Sequence, residues 1–217
     1  MIVKPNWHNL RSTKPISTVF GFDRGTPIDR YYIERFLRDH ADYITGNILE
    51  IAEDTYTKKY GKNILHSDIL HVDGTNKNAT IIGDLTLHTH LPHGRYNNII
   101  CTQTLNFIFD SHAAIEGIYA LLAPGGVALV TVAGLCQISR YDMDRWGDYW
   151  RFTTLSIGKL FMDIFGEGNI EVLSYGNVLS AIALLEGITV EELTPRELDV
   201  PDEDYQITIG VIANKPV

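Results

Sequence analysis

Two stretches of this chain concentrate residues that could do chemistry. In the first, residues 46–61, Gly46 opens the apolar run Asn47-Ile48-Leu49-Glu50-Ile51, and Glu53, Asp54, Thr55 and Thr57 follow it. An acidic residue near the end of a first strand, then a turn into helical sequence, is how an α/β sheet begins a nucleoside-cofactor site. The second is the irregular stretch 133–152, which supplies Asp144, Trp146, Asp148, Tyr149, Trp150 and Arg151. Aromatic rings there can stack on a sugar or a planar ring, and acids can hold hydroxyls. A loop of that length in a compact domain is usually functional.

Other candidates are weaker. His88, His90 and His93 share a loop, but no matching cysteine or acidic cluster lies nearby, so no metal site is expected. Cys101 and Cys136 lack a C-x-x-C partner and read as buried free thiols of a reducing compartment. A nicotinamide dehydrogenase is disfavoured because no G-x-G-x-x-G follows the first strand. A net charge of -9 with no long basic run argues against a general nucleic-acid binder. No apolar run approaches a membrane span, and residues 1–10 carry no leader-like apolar core. A cytoplasmic enzyme or binding protein is the expectation; the oligomeric state is open.

The elements that must position these residues follow from periodicity. Residues 1–19 read as an irregular arm. Apolar positions Tyr32, Ile33, Phe36, Leu37 and Ala41 recur at helical spacing, which predicts a helix over 28–44. Strands are expected at 47–51, 68–72, 80–82, 96–102, 127–132, 170–174 and 205–213. Helices are expected at 56–61, 110–122, 155–165 and 180–187, with an acidic connector at 191–204. The alternation implies an α/β fold: a Rossmann-like three-layer sandwich around a mainly parallel seven-stranded sheet with an antiparallel C-terminal strand. Residues 1–45 form an arm and cap helix, and 46–217 the α/β domain with a substrate loop at 133–153.

In this order the parts resemble the class I S-adenosylmethionine-dependent methyltransferases. Ile48-Leu49-Glu50-Ile51 resembles the first motif strand, and Asp73 the acid ending the second strand. Gly83-Asp84-Leu85 resembles the third-strand motif, and Thr102-Gln103-Thr104-Leu105 with Asp110 the fourth-strand segment. Leu122-Ala123-Pro124-Gly125-Gly126 resembles the turn before the fifth strand. The flanks 22–34 and 146–153 resemble small bacterial methyltransferase-like proteins, some linked to glycosyltransferases. Ala52, Glu53 and Asp54 stand where the family usually carries glycines, so the turn gains negative charge that needs an offset, either a cation, for which Arg24 and Arg30 are available, or a side chain turned away.

The resemblance implies S-adenosylmethionine as cofactor and S-adenosylhomocysteine as product. It implies that Asp73, beside Gly74, holds the ribose hydroxyls, and that Asp84 and Leu85 read the adenine. Glu50 faces the amino group of the cofactor's amino-acid head or orders the loop, with Ala52 in the turn. Thr102 and Gln103 lie beneath the sulfonium, and Arg24 with Tyr31 clamps the head. Trp146, Tyr149 and Arg151 bind the acceptor, and Asp148 or His112 is the candidate base. The implied activity is O-methylation of a small molecule or glycan. A methyltransferase-fold scaffolding module, or a non-methylating enzyme on the same fold, stays open beside it.

Overall fold

A computed structural model describes residues 11–217, so residues 1–10 of the expected arm lie outside the described residues. Seven strands form one sheet: β1 (Gly46–Ile51), β2 (Ile64–His71), β3 (Ile81–Ile82), β4 (Tyr96–Thr102), β5 (Leu122–Ala133), β6 (Ile170–Tyr175) and β7 (Thr208–Asn214). Their order is β3-β2-β1-β4-β5-β7-β6. Pairs from β3 to β5 are parallel, and β7 runs antiparallel to both β5 and β6. The expected seven-stranded, mainly parallel sheet with its antiparallel C-terminal strand is therefore present.

The central strands are apolar on both faces because helices cover both. Alternate side chains of a strand point to opposite faces. Ile99 and Cys101 of β4, with Val130 and Val132 of β5, join one core with α3 (Ser111–Leu121) and α5 (Thr154–Phe165). Ile100 and Leu129 point the other way, into a core with Ile48, Tyr56 and Phe36. Phe36 comes from α1 (Ile28–Asp39), and Tyr56 from α2 (Thr55–Tyr60). A third apolar cluster joins Tyr32 of α1 to Leu184 of α6 (Val178–Glu186) and Leu198 of α7 (Pro195–Asp199). Side-chain caps start these helices: Asp110 for α3, Thr153 for α5 and Asn177 for α6.

Several boundaries differ from expectation for local reasons. β2 starts at Ile64 rather than 68, because it has only the two-residue β3 outside it and its first half faces water; Leu65 is exposed there. β5 starts at Leu122, ahead of Pro124-Gly125-Gly126. The chain bulges at these residues, and the register with β4 jumps between the Tyr96–Leu122 and Asn98–Val127 pairs. The acidic connector hides α7, whose Thr194-Pro195-Arg196-Glu197 start is a capping box with proline in the first turn. β7 begins at Thr208, not 205. Helix α1 stops at Asp39, and a 3-10 turn, Ala41–Tyr43, completes the expected 28–44 span. The stretch 133–152 is irregular apart from the single turn α4 (Arg140–Met143). Among the described residues no helix is long and apolar enough to cross a membrane.

Helix α1 approaches the sheet over Gly210 of β7, where an added Cβ would meet the Phe36 ring at 2.5 Å. Phe36 is fully buried between His40 and Tyr175, so it has nowhere to retreat. Gly210→Ala is expected to lower stability by about 1–3 kcal/mol through overpacking. Urea denaturation measures this, and an unchanged midpoint would show the contact to be looser than described.

Candidate functional site

Parallel α/β sheets bind ligands beyond the carboxyl ends of their strands, where the strand order reverses. Here that point lies between β1 and β4, and a cavity of about 1600 Å³ opens there. The turn after β1 forms one wall. Ala52 takes φ +70°, the left-handed conformation that favours glycine. Its N–H donates to the Leu70 carbonyl at 2.9 Å, and its carbonyl accepts from Asn76 Nδ2 at 2.6 Å. Alanine thus stands in a backbone shape made for glycine, at a cost of about 1–2 kcal/mol.

Glu50 sits beneath that turn and points away from the cavity. Its carboxylate accepts from the Tyr56 N–H at 3.0 Å, the Thr57 N–H at 2.7 Å and the Thr57 hydroxyl at 2.7 Å. These donors belong to the first turn of α2, where negative charge is favoured. Burial pushes the carboxyl above the ordinary range, and the three donors only partly pull it back. Of the two expected roles for Glu50, the geometry serves the second, ordering the loop.

Lys58 pairs with Asp54 of the acidic turn at 2.8 Å, and the cation on the cavity side is Arg30. Arg30 lines the cavity from α1, bonds the Tyr56 hydroxyl and lies within the electrostatic reach of Asp29 and Glu53. Arg24 does not line the cavity; it pairs with Glu192 at 2.5 Å. Tyr31 also turns elsewhere and donates to Asp199 at 2.8 Å. The expected clamp of Arg24 and Tyr31 is therefore corrected: both tie the N-terminal region to the 190–199 connector. The helical register places Arg30 on the cavity side.

Asp73 does reach the cavity wall, just past the end of β2. Its Oδ1 accepts from the Thr75 N–H at 2.9 Å and the Thr75 hydroxyl at 2.5 Å, with His71 Nδ1 at 3.2 Å. These contacts hold the carboxyl below the usual range, the Thr75 hydroxyl foremost. They all fall on Oδ1, so Oδ2 has no partner among the described residues. Gly74 lies off the cavity. Asp84 lines it but spends Oδ1 on the Thr86 N–H and hydroxyl, capping a 3-10 turn, Leu85–His90. Leu85, Thr102 and Gln103 also line the cavity. Gln103 takes φ +48°, and its side-chain Nε2 is buried without a partner.

The 133–152 stretch folds back over this floor. Arg151 binds Asp148 through both nitrogens, at 2.5 and 2.9 Å, and donates to the Gln137 carbonyl at 2.6 Å. The Ser139 N–H also donates to Asp148 Oδ2, at 2.9 Å. Burial alone would raise the Asp148 carboxyl, but these donors outweigh it and hold it below the usual range. Asp148 and Arg151 are thus a clasp within the loop: the candidate base is engaged at both oxygens, and the candidate substrate cation is already tied. His112 is also corrected as a base, because it sits off the cavity on α3, beside Glu116 at 3.8 Å. Trp146 and Tyr149 line the cavity as expected, and Trp146 meets His71 edge-on, with 5.9 Å between ring centres. The loop therefore reaches across to the end of β2.

Asn106 escaped the sequence reading. It is buried, and its side chain joins Gln103 Oε1 at 3.1 Å to the Ala133 N–H at 3.2 Å. Its carbonyl accepts from the N–H groups of Tyr149 and Trp150. One residue thus ties the ends of β4 and β5 to the loop; Leu-Asn-Phe carries no signal of this. Cys101 and Cys136 are both free, and burial pushes their thiols up to about 12 and about 11, so both stay protonated at neutral pH. His88 and His93 contact each other, and among the described residues no trio of His, Cys, Asp or Glu could hold a metal.

Comparison with known proteins bears on the fold. No protein-family model matches the chain, and no curated protein sequence matches it. Solved structures do. An S-adenosylmethionine-dependent methyltransferase from Archaeoglobus fulgidus aligns over 86% of this chain and 94% of its own, with TM-score 0.54 and 10% identity. Phosphoethanolamine N-methyltransferase 2 of Haemonchus contortus, in complex with S-adenosylmethionine, aligns over 86% of this chain and 53% of its own, with TM-score 0.57 and 15% identity. The [4+2]-cyclase SpnF aligns over 94% of this chain and 89% of its own, with TM-score 0.54 and 16% identity. The chain has the class I S-adenosylmethionine-dependent methyltransferase fold. A cyclase among these neighbours shows that the fold alone does not fix the reaction.

Two variants probe the site's construction. Ala52→Gly relieves the left-handed strain at some cost in chain entropy, so a net gain of about 0.5–1 kcal/mol is expected in urea denaturation. A loss of stability would contradict the strained turn. Asn106→Ala strands the buried Ala133 N–H, and a loss of about 1–3 kcal/mol is expected. Amide hydrogen exchange at Ala133 should quicken with it; unchanged protection there would discount the tie.

Proposed function

We propose that the chain binds S-adenosylmethionine and transfers its methyl group to a hydroxyl oxygen of a small molecule or glycan. The supporting observation is the wall at the β1–β4 switch point: the Ala52 turn, with Arg30 on one side and the open Oδ2 of Asp73 on the other. The residues present suit such a cofactor. Arg30 supplies the positive charge that a carboxylate of the amino-acid head requires beside Glu53. Asp73 offers an acceptor oxygen to a ribose hydroxyl, and His71 and Thr75 fix its orientation. Leu85 supplies an apolar wall, and Gln103 a buried donor with no other partner.

When bound, the cofactor supplies an electrophilic methyl on a positively charged sulfur. Held by Arg30 and Asp73, such a cofactor would supply that methyl to an acceptor oxygen, with the carbon–sulfur electron pair returning to sulfur and the hydroxyl proton leaving to solvent. The chain's part is to align the two reactants and keep bulk water from between them. Trp146 and Tyr149 do this from the loop that crosses the cavity. Asp148 and Arg151 hold that loop in place rather than moving a proton.

Calorimetric titration of the full chain with S-adenosylmethionine and S-adenosylhomocysteine tests the reading. Binding of both is expected. Asp73→Ala should weaken it roughly 10- to 100-fold, the size of a lost hydrogen bond to a charged group. Well-folded protein that binds neither compound would sink the proposal.

A further inference from the structure

We propose that Phe109, Tyr149 and Trp150 form a preorganised aromatic wall at the cavity mouth that binds a ring bearing hydroxyl groups on its edge. Binding itself stands apart from the methyl-transfer reading, and only the fate of the bound ring rests on it.

The three rings are unusually open for aromatics. Phe109 is 69% exposed, Tyr149 48% and Trp150 38%. Phe109 and Tyr149 line the cavity, and Trp150 backs Phe109 from the protein side. Phe109 stacks on Trp150 with 5.8 Å between centres and 29° between planes, and meets Tyr149 edge-on at 5.4 Å. Trp150 in turn leans on buried Phe152 at 6.5 Å. A ladder of rings thus runs from the core to the mouth.

The polar side-chain groups of Tyr149 and Trp150 are both spent on holding the ladder still. The Trp150 indole N–H is shared between the carbonyls of Ile108 and Phe109, at 3.2 and 3.1 Å. The Tyr149 hydroxyl donates to the Trp146 carbonyl at 3.2 Å. The main-chain N–H groups of Tyr149 and Trp150 both end on Asn106. The Tyr149 ring lies against Gly147, whose φ of +98° leaves no room for a Cβ. What remains outward is ring face, fixed in orientation, whose natural complement is another ring face.

The adjoining Asp110 narrows the ligand class. Its Oδ1 caps α3 on the Ala113 N–H at 3.0 Å, and its Oδ2 has no partner among the described residues. A carboxylate oxygen beside an aromatic face suits a ring with an apolar face and edge hydroxyls. A pyranose and a catechol share that chemistry.

Ligand-observed NMR titration of the full chain with catechol and with methyl β-D-glucopyranoside separates these sources. Saturable binding of at least one probe is expected. Phe109→Ala and Tyr149→Ala should each weaken it at least about fivefold, the size of one lost ring contact. Leu155→Ala, exposed but off the cavity, should leave it unchanged. No saturable binding of either probe, or wild-type affinity in Phe109→Ala, would overturn the wall. S-adenosylhomocysteine is titrated on the same samples. If it fails to bind while a probe binds through Phe109, the cofactor reading falls and the wall stands.

Discussion

The site depends on a carboxylate that never touches it. Glu50 is buried at the end of β1, where an ionised side chain needs compensation. It finds that compensation in the first turn of α2, from two backbone N–H groups and the Thr57 hydroxyl. Those bonds set where α2 begins, and so how few residues remain to leave the strand and enter the helix. The chain makes the turn through Ala52, in the conformation a glycine would take, and the Ala52 bonds to Leu70 and Asn76 lock it to β2 and the loop beyond. The acid at the strand end is thus a structural anchor, and the cavity wall is its consequence.

The second constraint is the return of the 133–152 loop. A stretch with one turn of helix would wander unless fixed at several points. Asn106 fixes it at the floor, Arg151 with Asp148 clasps it at its waist, and Trp146 lands on His71 at the far side. Each tie uses groups that would otherwise be costly to bury unpaired. Two residues with the look of catalytic groups, Asp148 and Arg151, are therefore consumed in making the loop a fixed surface. Asp73, Arg30 and aromatic faces remain on the cavity lining beside them.

What the sequence made legible follows from how each feature is encoded. Strand alternation and helical spacing are local patterns, so the sheet, its parallel core and the reversed last strand could be read directly. The carboxyl-end position of Asp73, Asp84, Thr102 and Gln103 follows from topology, and these residues do line one cavity. Side-chain direction is not local. Arg24 and Arg30 are six residues apart in one segment and look alike as free cations. Helix α1 turns Arg30 to the cavity, while the 190–199 connector captures Arg24. His112 sits one residue into α3, and the helix start carries it to the outer face. Asn106 was invisible because its role exists only where β4, β5 and the loop converge.

A conserved scaffold with a variable entrance is the arrangement by which one fold serves many reactions. Here the two layers are physically separable. The floor is built from strand ends and the turn that Glu50 holds, elements locked into the sheet's hydrogen-bond ladder. The entrance is built from loop side chains tied to the sheet through Asn106, the Trp146 contact with His71 and the aromatic ladder on Phe152. Floor and entrance come from different parts of the chain, so the fold's likeness both to a cyclase and to methyltransferases involves no contradiction.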